Sequence, residues 1–301
     1  MRLDVLKAIL IVVTFSAGAR AVAQDPTDLY VFQIQLSGDG TYMVSNPKFL
    51  SGFNPGGYTN QPWFTAEGDL LVSVRMKGEE QTDVYRLDLK NESFHRVTAT
   101  RVNEYSPRIT PDGKALSVLR QVEGDSMDQQ VCQVSIQGGA YTSLTPDFRN
   151  IGYYCWTTQQ QLALYRIDGE RNHLELYNPA DRRTRKIASD VGRTLLLDQT
   201  GSIVYVHKFD STYWYLKRYH PIRMTIDIIA QTPALSEDFS LAGDGTYFMG
   251  AGSVLFSFRP GLDSGWKLVG DLSQYGIRDI TRLAISPDGR SLVVANVKKK
   301  A

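Results

Sequence analysis

The chain has 301 residues, 33 basic against 32 acidic side chains, and 42% hydrophobic with 11% aromatic residues. That composition belongs to a folded globule and excludes a disordered chain. A formal net charge of +1 excludes any bulk electrostatic attraction for nucleic acid or anionic lipid, and the length allows one large domain or two ordinary ones.

In chain order, Arg2 and Lys7 flank a short apolar run, Ala8 to Phe15, which is followed by small residues ending Ala21-Val22-Ala23. This layout reads as a secretory signal peptide over residues 1–23 with an A-x-A cleavage site, and the run is too short for a permanent span. Cleavage removes Arg2, Asp4, Lys7 and Arg20 and leaves a domain at 24–301 with net charge −1. The expected location is periplasmic or secreted, with no integral membrane segment after cleavage. Lys298-Lys299-Lys300 is a solvated tail, since three charges are too few for a polybasic anchor.

The mature chain opens with two strand-like segments, Leu29 to Gln35 and Tyr42 to Ser45, around the turn Gly38-Asp39-Gly40. Asp-Gly is a strong hairpin signal, and the later copy Gly243-Asp244-Gly245-Thr246-Tyr247 reads as a turn too, because a calcium loop needs more acidic ligands. The loop Ser51 to Tyr58 follows, with Phe53 and Tyr58 among its glycines. Such a loop could close over a site, touch a partner or span a junction. A complete unit comes next, with strands at Gln61 to Thr65, Leu70 to Val74, Asp83 to Leu89 and Phe94 to Thr98, each bounded by turn residues.

The same third and fourth strands recur at Gln130 to Ile136 with Ala140 to Leu144, and at His173 to Tyr177 with Thr184 to Ala188. Further copies are Tyr213 to Tyr219 with Thr225 to Ala230, and Val254 to Phe258 with Trp266 to Val269. The turn after each first strand ends in Gly68, Gly113, Gly201, Gly245 and Gly289, at spacings of 45, 88, 44 and 44. The double spacing hides a sixth turn at Cys155 to Gln160, without its Gly. A period of this size with four antiparallel strands inside it is a propeller blade. After the last turn only Thr281 to Ile285 and Ser291 to Val297 remain, so the two N-terminal strands complete that blade. The expected fold is all-β, a six-bladed propeller of four-stranded antiparallel blades closed by the N-terminal strands.

Pro107-Arg108-Ile109-Thr110-Pro111-Asp112-Gly113 and Ser286-Pro287-Asp288-Gly289, with Ser73-Val74-Arg75 and Val84 to Asp88 after Gly68, resemble the repeat of TolB-like propellers, also found in prolyl-oligopeptidase-type enzymes. The match is specific in two blades, fair in two and degenerate in the third and fourth. The resemblance implies a secreted or periplasmic binding module, usually for proteins, and does not imply an enzyme.

No G-x-S-x-G elbow is present, and six blades use up the chain, so no hydrolase domain is expected. His95, His173, His207 and His220 occupy different places in their blades and read as structural. Cys132 and Cys155 allow one disulfide, but two buried small hydrophobes are the favoured reading. No catalytic residue, metal site or cofactor is assigned.

Counting eight or nine residues back from each marker Gly places Asn60, Glu104, Tyr105, Arg193, Glu237 and Thr281, with Arg278 and Asp279, in a ring where the first strands begin. Asn60, Glu104, Tyr105, Arg193, Glu237 and Asp279 are the candidate ligand-binding residues at a channel mouth, beside the Phe53 and Tyr58 loop. The competing reading is that they only start strands. Arg75, Arg120, Arg166 and Lys208, at the ends of second strands, could hold a carboxylate, although blade-to-blade pairing is the favoured explanation. The expected function is non-catalytic capture of a protein or peptide of the cell envelope through the channel-mouth face. The alternatives are a metal-dependent lactonase or lyase acting on a sugar acid, and a purely structural surface protein.

Overall fold

The computed structural model of the protein describes residues 25–169 and 171–297. The signal peptide and the lysine tail expected above lie outside the described residues.

The chain begins with β1 (Thr27–Leu36) and β2 (Tyr42–Phe49). The first complete sheet, blade I, holds β3 (Tyr58–Phe64), β4 (Leu70–Arg75), β5 (Asp83–Asp88) and β6 (Ser93–Arg96). Blade II holds β7 (Glu104–Ile109), β8 (Ala115–Val122), β9 (Asp125–Ser135) and β10 (Thr142–Ser143). Blade III holds β11 (Ile151–Trp156), β12 (Leu162–Asp168), β13 (Arg171–Tyr177) and β14 (Thr184–Ser189). Blade IV holds β15 (Val191–Leu197), β16 (Ile203–Lys208), β17 (Trp214–His220) and β18 (Thr225–Gln231). Blade V holds β19 (Phe239–Leu241), β20 (Tyr247–Ala251), β21 (Val254–Phe258) and β22 (Lys267–Asp271). Last come β23 (Ile280–Ile285) and β24 (Ser291–Val297).

Within each blade neighbouring strands pair antiparallel in chain order, as in Leu70↔Leu87 and Val72↔Tyr85 between β4 and β5. Burial falls from the second strand outward. In β4 Leu70 to Val74 are all buried, whereas every residue of β6 is exposed. The buried second strands therefore read as continuous apolar runs and the third strands as alternating ones. Among the described residues, six apolar clusters form, and each joins neighbouring blades. Val72 and Leu87 of blade I meet Val293 and Ala295 of β24, for example, while Leu119 of blade II meets Tyr154 and Leu164 of blade III. The cluster between blades I and II, built on Leu71, Val84, Leu116, Val118 and Val134, is the smallest. Beside it runs a groove of about 870 Å³ lined by Trp63, Val97, Ile136 and Tyr141. Strand β10 has only two residues and leaves that flank uncovered.

The N-terminal strands β1 and β2 complete the last blade, blade VI, together with β23 and β24. β1 pairs antiparallel with β24 from Thr27↔Val297 to Gln33↔Ser291, and β2 pairs on the outside of β1. The loop after β2 braces this junction. Ser51 Oγ accepts the Leu29 N–H at 2.6 Å. The buried Asn54 donates to the carbonyls of Tyr58 and Arg75 at 3.2 and 3.0 Å and accepts the Lys77 N–H at 3.0 Å. A Cβ at Gly57 would lie 2.1 Å from Asn54 Oδ1, so only glycine fits there. Phe53 stacks on Phe94 of β6, with ring centroids 4.3 Å apart. Of the three roles open to this loop, the structure shows the spanning one.

The turns are uniform. The N–H of Gly68, Gly113, Gly201, Gly245 and Gly289 donates to the carbonyl three residues earlier at 2.9–3.1 Å, and Gln160 makes the same bond to Thr157 at 3.1 Å. Gln160 holds φ at 58°, the left-handed region that costs a side chain energy and glycine nothing. The hidden sixth turn is thus present with the wrong residue for its backbone. Cys132 and Cys155 are free and buried, and burial pushes both thiols up to about 11, as the apolar reading requires. Gln160→Gly is expected to stabilise the fold by roughly 0.5–1 kcal/mol. The shift would appear as a higher urea midpoint at unchanged slope, and a lower midpoint contradicts the assignment.

Candidate functional site

The innermost strands β3, β7, β11, β15, β19 and β23 surround the axis, and most of them are irregular at the same place. Register shifts fall between Asn60 and Trp63, Tyr105 and Arg108, Ile151 and Tyr153, Val191 and Leu195, and Ile280 and Arg282. Gln61 and Ser106 sit in these shifts with φ of 54° and 51°. A bulge redirects the side chain that follows it. The position it serves is seven residues before each turn marker: Gln61, Ser106, Tyr153, Thr194, Asp238 and Arg282. One residue comes from each blade.

These six make two separate groups of contacts around the axis. Gln61 Oε1 accepts the Ser106 N–H at 2.8 Å, tying blade I to blade II. Asp238 is the centre of the second group. Its Oδ1 accepts from Arg193 Nε at 3.0 Å, Thr194 Oγ1 at 3.2 Å and Arg282 Nη1 at 2.7 Å, while its Oδ2 accepts from Arg193 Nη2. Arg282 then reaches from blade VI to the opposite blade III, donating to Tyr153 OH at 2.8 Å with its guanidinium 4.9 Å from the ring centroid. Burial works against the charge of both arginines, yet contact with the Asp238 carboxylate raises the pKa of Arg193 and, together with Tyr153, that of Arg282. Both stay charged. Glu237, next in sequence, accepts from the Arg193 N–H at 3.2 Å and pairs with Lys208 at 2.8 Å.

This cross-axis clamp makes the floor of a recess of about 440 Å³ that extends toward the glycine turns. Trp63, Tyr154, Leu195, Leu241 and Leu283 line its walls, and Gln199, Gly243 and Pro287 lie at its rim. Gln199 donates to the Gly243 carbonyl and links two of the rim turns. Arg108 also lines the recess; its guanidinium lies 5.9 Å from the Tyr154 centroid, and its buried Nε–H has no hydrogen-bond partner.

Of the ring expected at the strand starts, Arg193 and Glu237 are brought together, and Arg193 lines the recess. Asn60 is buried and accepts the Gln61 N–H at 2.7 Å. Tyr105 is buried in the cluster between blades II and III. The Asp279 N–H donates to Asn296 Oδ1 at 3.2 Å. Glu104 is fully buried; its Oε1 accepts from Thr100 Oγ1 at 3.2 Å, and Arg120 Nε lies 3.7 Å away. Reading the sequence misses Tyr153, Asp238 and Arg282 because counting back eight or nine residues along a regular strand overshoots the bulged position by one or two. The period itself held the signal, had it been counted to seven.

The four repeated cations cover aromatic rings. Arg75 lies 6.0 Å from Tyr58, Arg120 4.9 Å from Tyr141, Arg166 4.7 Å from Phe148 and Lys208 4.5 Å from Trp214. Their stems and charges are used in packing within the ring. The histidines stay apart. His173 pairs with Asp168 at 3.1 Å, and His220 bridges Ser202 and Asp227 at 2.8 and 2.7 Å. That last trio is buried at Ser202 and ties the start of β16 to β17 and β18. Among the described residues no three His, Cys, Asp or Glu side chains gather to hold a metal, and no helix is long and apolar enough to cross a membrane.

Burial raises the pKa of Glu104 above the ordinary carboxylate value. The folded state therefore binds this proton more tightly than the unfolded state. The stability it contributes is complete below the ordinary pKa and is lost as pH rises through the folded one. Glu104→Gln escapes that loss, so its stability relative to wild type is expected to rise between about pH 4 and pH 7. Paired urea titrations at the two pH values measure this, and a difference that is flat or falls with pH contradicts it.

No protein-family model and no curated protein matches the chain. Solved structures do. TolB from Acinetobacter baumannii matches with TM-score 0.57 at 14% identity over 91% of this chain, which spans only 64% of that protein. A protein provisionally assigned as TolB from Agrobacterium tumefaciens matches with TM-score 0.66 at 12% identity, over 92% of this chain and all of that one. A provisionally assigned gluconolactonase matches with TM-score 0.57 at 10% identity, over 81% of this chain and 90% of its own. The fold is a TolB-like β-propeller.

Proposed function

We propose that the chain is a non-catalytic propeller, secreted or periplasmic, that binds a protein or peptide partner where the axial recess opens. The fold is shared by binding proteins and enzymes alike, so the reading rests on the site. The observation that carries it is the clamp of Asp238 on Arg193 and Arg282, with Arg282 crossing to Tyr153. It turns the axis into a blind recess with apolar walls, suited to an inserted side chain or chain end.

The alternative, a metal-dependent lactonase or lyase, needs carboxylates or histidines with free lone pairs converging on one point. The acidic groups near the axis, Glu237 and Asp238, already accept from Lys208, Arg193, Arg282 and Thr194. In the favoured reading Asn60, Glu104, Tyr105, Arg193, Glu237 and Asp279 hold the strand-start side of the ring in shape. The partner meets the opposite, turn-bearing side.

The test is capture from an envelope extract by immobilised protein. Leu241→Glu, which places a charge in the recess wall, is expected to reduce the captured partner at least tenfold, while Asp279→Ala on the other side leaves it unchanged. Equal capture by Leu241→Glu and wild type would falsify the reading. So would metal-dependent turnover of a sugar lactone by the purified protein.

A further inference from the structure

We propose that the recess is a carboxylate pocket, in which Arg108 and Arg282 take the carboxylate of a chain end or small organic acid whose apolar part lies along Leu195, Leu241 and Leu283. This rests on the binding function proposed above and specifies its ligand.

Charge around the floor is unequal. Three arginines line the recess; Arg193 and Arg282 pair with Asp238, whereas among the described residues Arg108 has no acidic partner. The acidic residue that lines the recess, Asp198, is engaged by Arg218 at 2.5 Å. One positive charge, that of Arg108, is therefore left without an ionic partner in a partly enclosed space, where Coulomb attraction for an anion is stronger than in bulk water. Arg108 carries the geometric counterpart of that surplus. Its Nε is buried with no hydrogen-bond partner, and an unmet donor on a charged group is costly. One planar acceptor brought to that guanidinium removes the cost, and a carboxylate matches the fork of arginine donors.

The rest of the recess selects among anions. At about 440 Å³ it holds a small ligand or the last residue or two of a peptide. Apolar residues outnumber polar ones in its wall, so a strongly hydrated phosphate or sulfate would lose water there and gain few donors. A carboxylate on an apolar body meets both the walls and Arg108.

The experiment is calorimetric titration of the full chain at low salt with matched probes. N-acetyl-leucine is expected to bind saturably and N-acetyl-leucinamide at least tenfold more weakly. Arg108→Gln should abolish the difference, and Leu241→Trp, which fills the recess without touching Arg108, should abolish binding of both. If Arg108→Gln does not fold, the acid-against-amide comparison on the wild-type protein and the Leu241→Trp variant still decide the matter. Pentapeptides with a free C-terminus, an amidated C-terminus, or an amidated C-terminus plus an internal glutamate show whether the carboxylate comes from a chain end or a side chain. Equal binding of acid and amide, no binding of either, or equal competition by inorganic phosphate overturns the proposal. Partner capture that is sensitive to Leu241→Glu but indifferent to free acid would leave the binding function standing and remove only the carboxylate.

Discussion

Asp238 is where this ring is tied. One buried carboxylate holds a guanidinium from blade IV and another from blade VI, and the second of these continues across the axis to Tyr153 of blade III. Charges taken out of water need partners with good geometry, and removing one partner strands the others. The arrangement is therefore close to all or nothing, and it decides what the channel is. With the clamp in place the axis is divided, and the half toward the glycine turns becomes a closed-bottom recess.

The blades supply the stiffness that such a clamp requires. Their second strands are buried, their outermost strands are largely exposed, and the apolar clusters lie between blades rather than within them. No blade can bury its faces alone, so the ring is stable only when complete. Pairing of β1 with β24 joins the two ends of the chain inside one sheet. Asn54 and Gly57 lock the loop that leads out of that sheet into blade I. The looser junction is between blades I and II, where β10 is short and a groove replaces packed side chains.

Much of this was legible in the residues. The turn spacing locates every blade, including the one whose marker is Gln160, because the hydrogen bond that closes the turn is a backbone bond and depends only weakly on the side chain. The seam was legible as a count of missing strands. What could not be read was the orientation of the innermost side chains. Period two predicts that alternate residues face the axis, but a bulge next to Gln61, Ser106 or Arg282 shifts the facing position by one. The ring drawn at Glu104 and Glu237 therefore lies beside the ring that crosses the axis at Tyr153, Asp238 and Arg282. The repeated cations mislead in a related way. Their regular spacing suggests a common ligand, whereas each covers an aromatic ring nearby, and that partner falls at a different offset in each blade.

A propeller is a scaffold on which unrelated functions are built, and only the groups at the axis distinguish them. Here those groups neutralise one another at the floor and leave a positive surplus above it. The most direct check on this account is a double-mutant cycle between Asp238→Asn and Arg282→Gln, with stability read by urea denaturation. A clamp across the axis predicts a coupling energy of about 1–3 kcal/mol. Costs that add to within about 0.5 kcal/mol would mean that the two residues act independently and that the floor of the recess is not held as described.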